Sequence, residues 1–256
     1  MTVADVALEV FEAGDGPPIL FLHGAQGFAP THPYVPLLSA HHRLIAPSHP
    51  GFGQSTLPDW IDAPDDIAYI HLELLDRLNL DQVDVIGCSL GGWIACELAT
   101  KSPKLVRRLV LVGPVGVKTG PVDRLDIPDI FALPQSKLET LLFHDPDRMC
   151  MDPSRLTDEQ LGIQARNRET LALLVWEPYM HNPKLPHRLH RITAPTLFVR
   201  GAADGLVSAA YMDTYARLLP NARIATIDAA GHAPHAEQPE AFARTVLAFL
   251  ESEAPQ

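Results

Sequence analysis

The stretch from Val83 to Ala99, VDVIGCSLGGWIACELA, passes from a buried-strand pattern over Val83–Ile86 into a helical pattern from about Ser89. Only Gly87-Cys88-Ser89-Leu90-Gly91 separates the two. A strand-to-helix turn this sharp strains the backbone of its central residue and requires small neighbours. It lifts the serine hydroxyl above the sheet edge and sets it at a helix N-terminus, where the dipole favours developing negative charge. A plain helix cap would explain the hydroxyl of Ser89 but not both glycines. The G-x-S-x-G spacing in this strand–turn–helix context therefore reads as a nucleophile.

Around this turn, short apolar runs alternate with amphipathic stretches. PILFLHG ends on glycine, as a buried strand feeding a loop would, and RLIAPSHPGFGQS is a shorter strand followed by a Gly/Pro turn region. DDIAYIHLELLDRLNL places Ile67, Ile70, Leu74, Leu75 and Leu78 near helical spacing. RLVLVG and APTLFVRG read as strands, followed by a helix around Tyr211–Leu219, the strand ARIATID and the helix PEAFARTVLAFL. Such alternation implies an α/β fold with a mostly parallel sheet covered on both faces. From Pro114 to about His190 no strand pattern is visible and proline-rich pieces separate helical ones. The expected organisation is a core over 1–113 and 191–256, interrupted by an α-helical lid over 114–190.

A chain of 256 residues buries a substantial core. Its 20 Lys+Arg against 31 Asp+Glu, a formal charge of −11, argue against nucleic acid or an anionic membrane as partner. Cys88, Cys96 and Cys150 form no disulfide framework and no zinc-binding spacing. No basic-then-apolar leader opens the chain, and no apolar run approaches a membrane span. The expectation is a cytoplasmic protein acting on a small molecule, without metal or organic cofactor; oligomeric state is left open, a homodimer being one option.

A serine hydroxyl needs a base, and the base an orienting group. DAAGHAPHAEQPEAF lies between the last strand and the last helix, so His232 is the base, with His235 as rival. LFVRGAADGLVS ends a strand in a loop carrying Asp204, the acid, with Asp228 as second choice. The order Ser, Asp, His is the one expected of this architecture. An oxyanion hole would take the Leu90 N–H and an N–H from FLHGAQGF, best Ala25 with Gln26 as neighbour; His23 would brace that loop.

With LHG, PGFGQS, GCSLGG, GAADGLV and GHAPHAEQPEAF in this order, essentially the whole chain resembles the α/β-hydrolase-fold serine hydrolases with a helical cap. The resemblance implies Ser89, Asp204 and His232 as triad and Ala25 in the oxyanion loop. Ser48 stands where many relatives have aspartate, a position that usually serves loop structure. Serine at the elbow argues against the haloalkane dehalogenase and epoxide hydrolase branches.

For substrate, Trp93, Trp176, Tyr179, Met149, Met151 and Met180 could line an apolar pocket or simply pack, and Gln26 is placed at the same substrate pocket. Ring-fission-product hydrolases, which cleave carbon–carbon bonds, share cap and triad. They typically place tryptophan after the catalytic histidine, where this chain has Ala233, and use a cap arginine, for which Arg166 or Arg168 qualifies. The primary expectation is a carboxylic-ester hydrolase working through an acyl-enzyme on Ser89. Carbon–carbon hydrolysis of a vinylogous diketone acid is the alternative, and a non-catalytic receptor on the same fold is the reading from another class. Acyl transfer or perhydrolysis differs only in what attacks the acyl-enzyme.

Overall fold

The structure, a computed structural model, describes residues 1–150 and 153–252; Met151, one of the candidate pocket residues, lies outside them. A small hairpin of β1 (Thr2–Val3) and β2 (Val6–Ala7) precedes β3 (Val10–Ala13) and β4 (Pro18–Leu22). Next come α1 (Tyr34–Ser39), β5 (Arg43–Pro47), α2 (Pro64–Arg77), β6 (Val83–Cys88), α3 (Leu90–Lys101) and β7 (Val106–Val112). The middle of the chain carries α4 (Gln135–Leu142), α5 (Pro146–Met149) and α6 (Asp158–Val175), with single 3-10 turns between and after them. β8 (Thr196–Gly201), α7 (Ala209–Ala216), β9 (Ala222–Ile227), α8 (Pro234–Glu237) and α9 (Pro239–Leu250) complete the order.

Seven strands form one sheet in the order β3-β5-β4-β6-β7-β8-β9, parallel except for β3 against β5. The strand alternation of β4 shows why both faces must be covered. Ile19 and Phe21 pack with α1 and α9, whereas Leu20 and Leu22 belong to the cluster built on α2, α3 and α7. Helix α2 starts on Pro64, whose missing N–H costs nothing there, and the Asp66 carboxylate accepts from Ala63 N–H. It buries Ile67, Ile70, Leu74 and Leu75, the stripe visible in its sequence.

The chain runs outward from β4 to β5, then crosses back to β6 on the other side of β4. That reversal opens a crevice between the C-terminal ends of β4 and β6, where ligands bind in sheets of this kind. Between β7 and β8 no strand joins the sheet among the described residues. The two ends of this segment meet through Gly116 N–H to Met180 O (3.0 Å) and Asn182 N–H to Gly116 O (2.9 Å). None of the described helices is long and apolar enough to cross a membrane.

Candidate active site

Ser89 stands at the C-terminal end of β6, beside the crevice, with φ +53° and ψ −113°. Its N–H donates to Val112 O (2.8 Å) and its carbonyl accepts from Gly92 and Trp93, so the backbone is fixed from both sides. Its side chain makes no capping bond to α3, which removes the helix-cap explanation of the hydroxyl. The glycine at 91 is a matter of space: a Cβ there would run into the Leu22 and His23 carbonyl oxygens of β4 and its loop.

Asp204 and His232 follow β8 and β9 at the same sheet edge. His232 Nδ1–H donates to Asp204 Oδ2 at 2.9 Å, and both side chains are buried. The other Asp204 oxygen accepts from the N–H groups of Leu206 (2.9 Å) and Val207 (2.8 Å), which aims the carboxylate. His232 Nε2 is buried and bonded to no described residue, leaving it free to take a proton. Gly113, at the end of β7, leaves the space this pair fills: a Cβ there would lie 2.9 Å from His232 Nδ1. The rivals separate cleanly. Asp228 is exposed. His235 packs against Phe21, Tyr34 and Phe242, and desolvation, then His32 and His232, holds its pKa down at about 3.

The loop after β4 lies against the elbow, with Gly24 packed on Cys88 O and Ser89 Cβ. Gly27 N–H to Gly24 O (3.1 Å) closes a turn whose central residues are Ala25 and Gln26. Leu90 N–H opens α3 and has no helical partner. Ala25 N–H likewise finds no hydrogen-bond acceptor among the described residues. Behind this loop runs a chain of three buried histidines. His23 Nδ1–H donates to Gly24 O (2.7 Å), so its Nε2 accepts from His49 N–H (2.9 Å). His49 Nε2–H donates to His23 O (3.0 Å), and burial keeps that ring neutral, so its Nδ1 accepts from His71 Nε2–H (2.8 Å). Every tautomer is thereby set and every ring is neutral. Burial pushes His23 down to about 4 and His71 to about 3, and lowers His49 as well.

Ser48 donates to Glu9 Oε2 (2.7 Å), and the same oxygen accepts from Gln54 N–H (3.0 Å). The carboxylate missing from position 48 is supplied by the segment before β3, which fits a structural part for this position.

The middle segment reaches the site from two sides. At the end of α4, Leu141 O accepts from Gly205 N–H (3.0 Å) and Leu142 O from His232 N–H (2.6 Å). Buried Glu237 accepts from Gly231 N–H (2.5 Å) with one oxygen and from His144 (2.8 Å) and Asp145 (3.2 Å) N–H with the other. On α6, Asn167 bonds Gln26 and Gly53, Thr170 bonds Gly51, and Arg166 bonds Gly53.

Of the proposed pocket residues, Trp176 and Tyr179 both lie against Phe131. Trp93 belongs to the core rather than a substrate surface: it is 3% exposed, its ring lies on Gly116 and its indole N–H donates to Glu97 (3.2 Å). Trp176 is exposed beside Phe131 at the end of α6. Tyr179 is half-buried, its hydroxyl donating to Pro128 O (2.7 Å) and accepting from Ile130 N–H (3.0 Å). Gln26 is exposed, Met149 half-buried and Met180 buried. Sequence reasoning missed Glu237, Asn167, His49 and His71. Glu237 sits inside a recognised motif, but nothing in the local pattern of the other three marks them.

The family model described as the alpha/beta hydrolase family matches residues 19–245. The 2-hydroxymuconate semialdehyde hydrolase of Pseudomonas putida is 28% identical over 260 residues, covering 93% of this chain and 89% of its own. The 2-hydroxy-6-oxononadienedioate/2-hydroxy-6-oxononatrienedioate hydrolase of Cupriavidus pinatubonensis is 32% identical over 261 residues, covering 91% and 86%. Among solved structures, a mutant of the meta-cleavage product hydrolase from Pseudomonas fluorescens IP01 superimposes with a TM-score of 0.79 at 20% identity, covering 97% and 95%, a likeness of fold.

Proposed function

Because the chain belongs to the α/β hydrolase family, we propose that this hydrolase cleaves a carbon–carbon bond in a ring-fission product, a vinylogous diketone acid, with Ser89, His232 and Asp204 as its triad. The observation that carries the reading is that relatives spanning nearly the whole chain are named for this reaction. It replaces ester hydrolysis as the primary reading; the acyl-enzyme chemistry is common to both.

The site residues take these parts. His232 Nε2 accepts the Ser89 proton as Oγ adds to the ketone carbon, and Asp204 holds the resulting imidazolium through Nδ1–H. The new oxyanion sits between the Leu90 and Ala25 N–H groups, donors worth about 3–4 kcal/mol each. Collapse breaks the carbon–carbon bond, its electron pair entering the conjugated keto acid as a dienolate that His232 protonates. Water, deprotonated by His232, then releases the carboxylic acid from Ser89. Residues 114–190 serve as the lid over this site.

An ester substrate remains the second reading on specific grounds. Ala233 stands where the carbon–carbon hydrolases typically have tryptophan. Both cap arginines are also engaged by backbone, Arg166 on Gly53 O (2.5 Å) and Arg168 on Ile130 O (3.4 Å). Bleaching of a yellow 2-hydroxymuconate-type ring-fission product, run beside p-nitrophenyl esters, separates the two. Wild type is expected to bleach it and Ser89→Ala to be slower by about 10³-fold or more. Ester turnover with no bleaching would return the assignment to an esterase. Equal rates in the two proteins would remove Ser89 from either mechanism.

A further inference from the structure

We infer that Asn167, on α6 of the middle segment, is a positioning residue that sets the oxyanion loop. The inference rests on the reading of Ser89 as the nucleophile, with Ala25 as an oxyanion donor.

Asn167 is 4% exposed and lies between two loops that approach it from the core. Its Nδ2 donates to Gln26 O (3.1 Å) and its Oδ1 accepts from Gly53 N–H (3.0 Å). One partner is a carbonyl and the other an N–H, so the orientation of the amide is determined by what it touches. A carboxylate of similar length does not serve both ends, because it only accepts. Gln26 follows Ala25 inside the four-residue turn closed by Gly27 N–H and Gly24 O. Holding the Gln26 carbonyl holds the plane of that turn, and with it the direction in which Ala25 N–H points.

The turn is held from three directions. Gly24 rests on the elbow and His23 ties to the buried histidine chain, both within the core. Asn167 supplies the third hold, from the segment outside the sheet. Close approach is part of the design, since a Cβ on Gly27 would lie 2.9 Å from Asn167 Nδ2. Thr170, one helical turn further along the same face, bonds Gly51 O (2.9 Å) and docks α6 without touching the oxyanion turn. The two residues therefore separate positioning from docking.

The test needs no knowledge of the natural substrate: the rate at which an alkyl fluorophosphonate phosphonylates Ser89, a reaction that also develops charge in the oxyanion hole. Asn167→Asp keeps an acceptor for Gly53 N–H and turns an oxygen toward the Gln26 carbonyl. It is expected to slow labelling about 10- to 100-fold, the scale of a misdirected donor. On whichever substrate the wild type turns over, kcat should fall by the same factor with KM within about twofold. Asn167→Ala should behave alike, and Thr170→Val should label at the wild-type rate. A wild-type rate in folded Asn167→Asp, or a rise in KM alone, overturns the inference. So does an equal slowing in Thr170→Val, which would make α6 docking the cause. Failure of the underlying reading looks different: the wild type itself would leave Ser89 unlabelled, and the inference would fall with it.

Discussion

Acid should destabilise this fold steeply, and the buried rings say by how much. His23, His71 and His235 have pKa values pushed by burial to about 4, 3 and 3, against 6.5 for a free ring. In the folded chain they stay neutral at pH 5, whereas in the unfolded chain they charge as pH drops through about 6.5. The unfolded state therefore binds more protons, and stability present above about pH 6.5 is lost as pH falls toward the folded values. At pH 5 each ring has cost the fold about 2 kcal/mol. Three such rings remove about 6 kcal/mol, a large part of the roughly 5–15 kcal/mol of a whole domain. His49, lowered by the same burial, adds to the loss, while Asp66 and Glu97, raised by burial, oppose it.

Urea unfolding followed by tryptophan fluorescence at pH 7, 6 and 5 measures the effect. His235→Phe isolates one ring. His235 sits among Phe21, Tyr34 and Phe242, where a phenyl ring fits the packing. The variant should lose about 2 kcal/mol less than wild type between pH 7 and pH 5. A total loss under about 2 kcal/mol, or an unchanged slope in His235→Phe, would refute the claim that these rings are buried in the neutral form.

Two further outcomes follow from the proposed acid and base loops. Asp204→Asn should keep the packing around His232 but present the wrong tautomer, lowering kcat by about 10⁴-fold in steady-state assays, with little change in KM. Glu237→Gln should leave one of the Gly231, His144 and Asp145 N–H groups facing an amide nitrogen, costing about 1–3 kcal/mol in chemical denaturation. Because Gly231 precedes His232, the same variant should also lower kcat; an unchanged kcat would detach Glu237 from the base.

Much of this arrangement was legible in the chain because its signals are local. The elbow announces itself through two glycines around a serine, and Asp204 and His232 each sit in a loop directly after a strand. Helix α9 could be read residue by residue, since its apolar stripe and Pro239 mark it plainly. What escaped was set by tertiary contact. Strand β3 is four residues long, lies antiparallel at the sheet edge and buries little, so it shows no apolar run. Helix α1 is six residues long, with prolines at Pro33 and Pro36. His49 reads as loop filler in SHPGFG until His23 and His71 are brought beside it from β4's loop and α2. Asn167 and Gln26 are 141 positions apart, and no sequence periodicity connects them.

A segment standing outside the sheet would be expected to choose substrate while the core does the chemistry. Here the division is less clean. The last carbonyls of α4 hold the N–H groups of Gly205 and His232, each adjacent to or part of the proposed acid–base pair. Glu237 ties the residue before His232 to the start of α5, and α6 grips the turn that carries Ala25. A bond to the backbone of a catalytic loop fixes geometry whatever substrate is bound, so its loss is felt in the transition state more than in the ground state. Changes at the end of α4 and at Asn167 of α6 are thus expected to act on turnover, and changes at outward positions such as Leu173 or Trp176 leave those bonds intact. Substrate preference can then shift through such outward positions without disturbing the proposed acid, base or oxyanion turn.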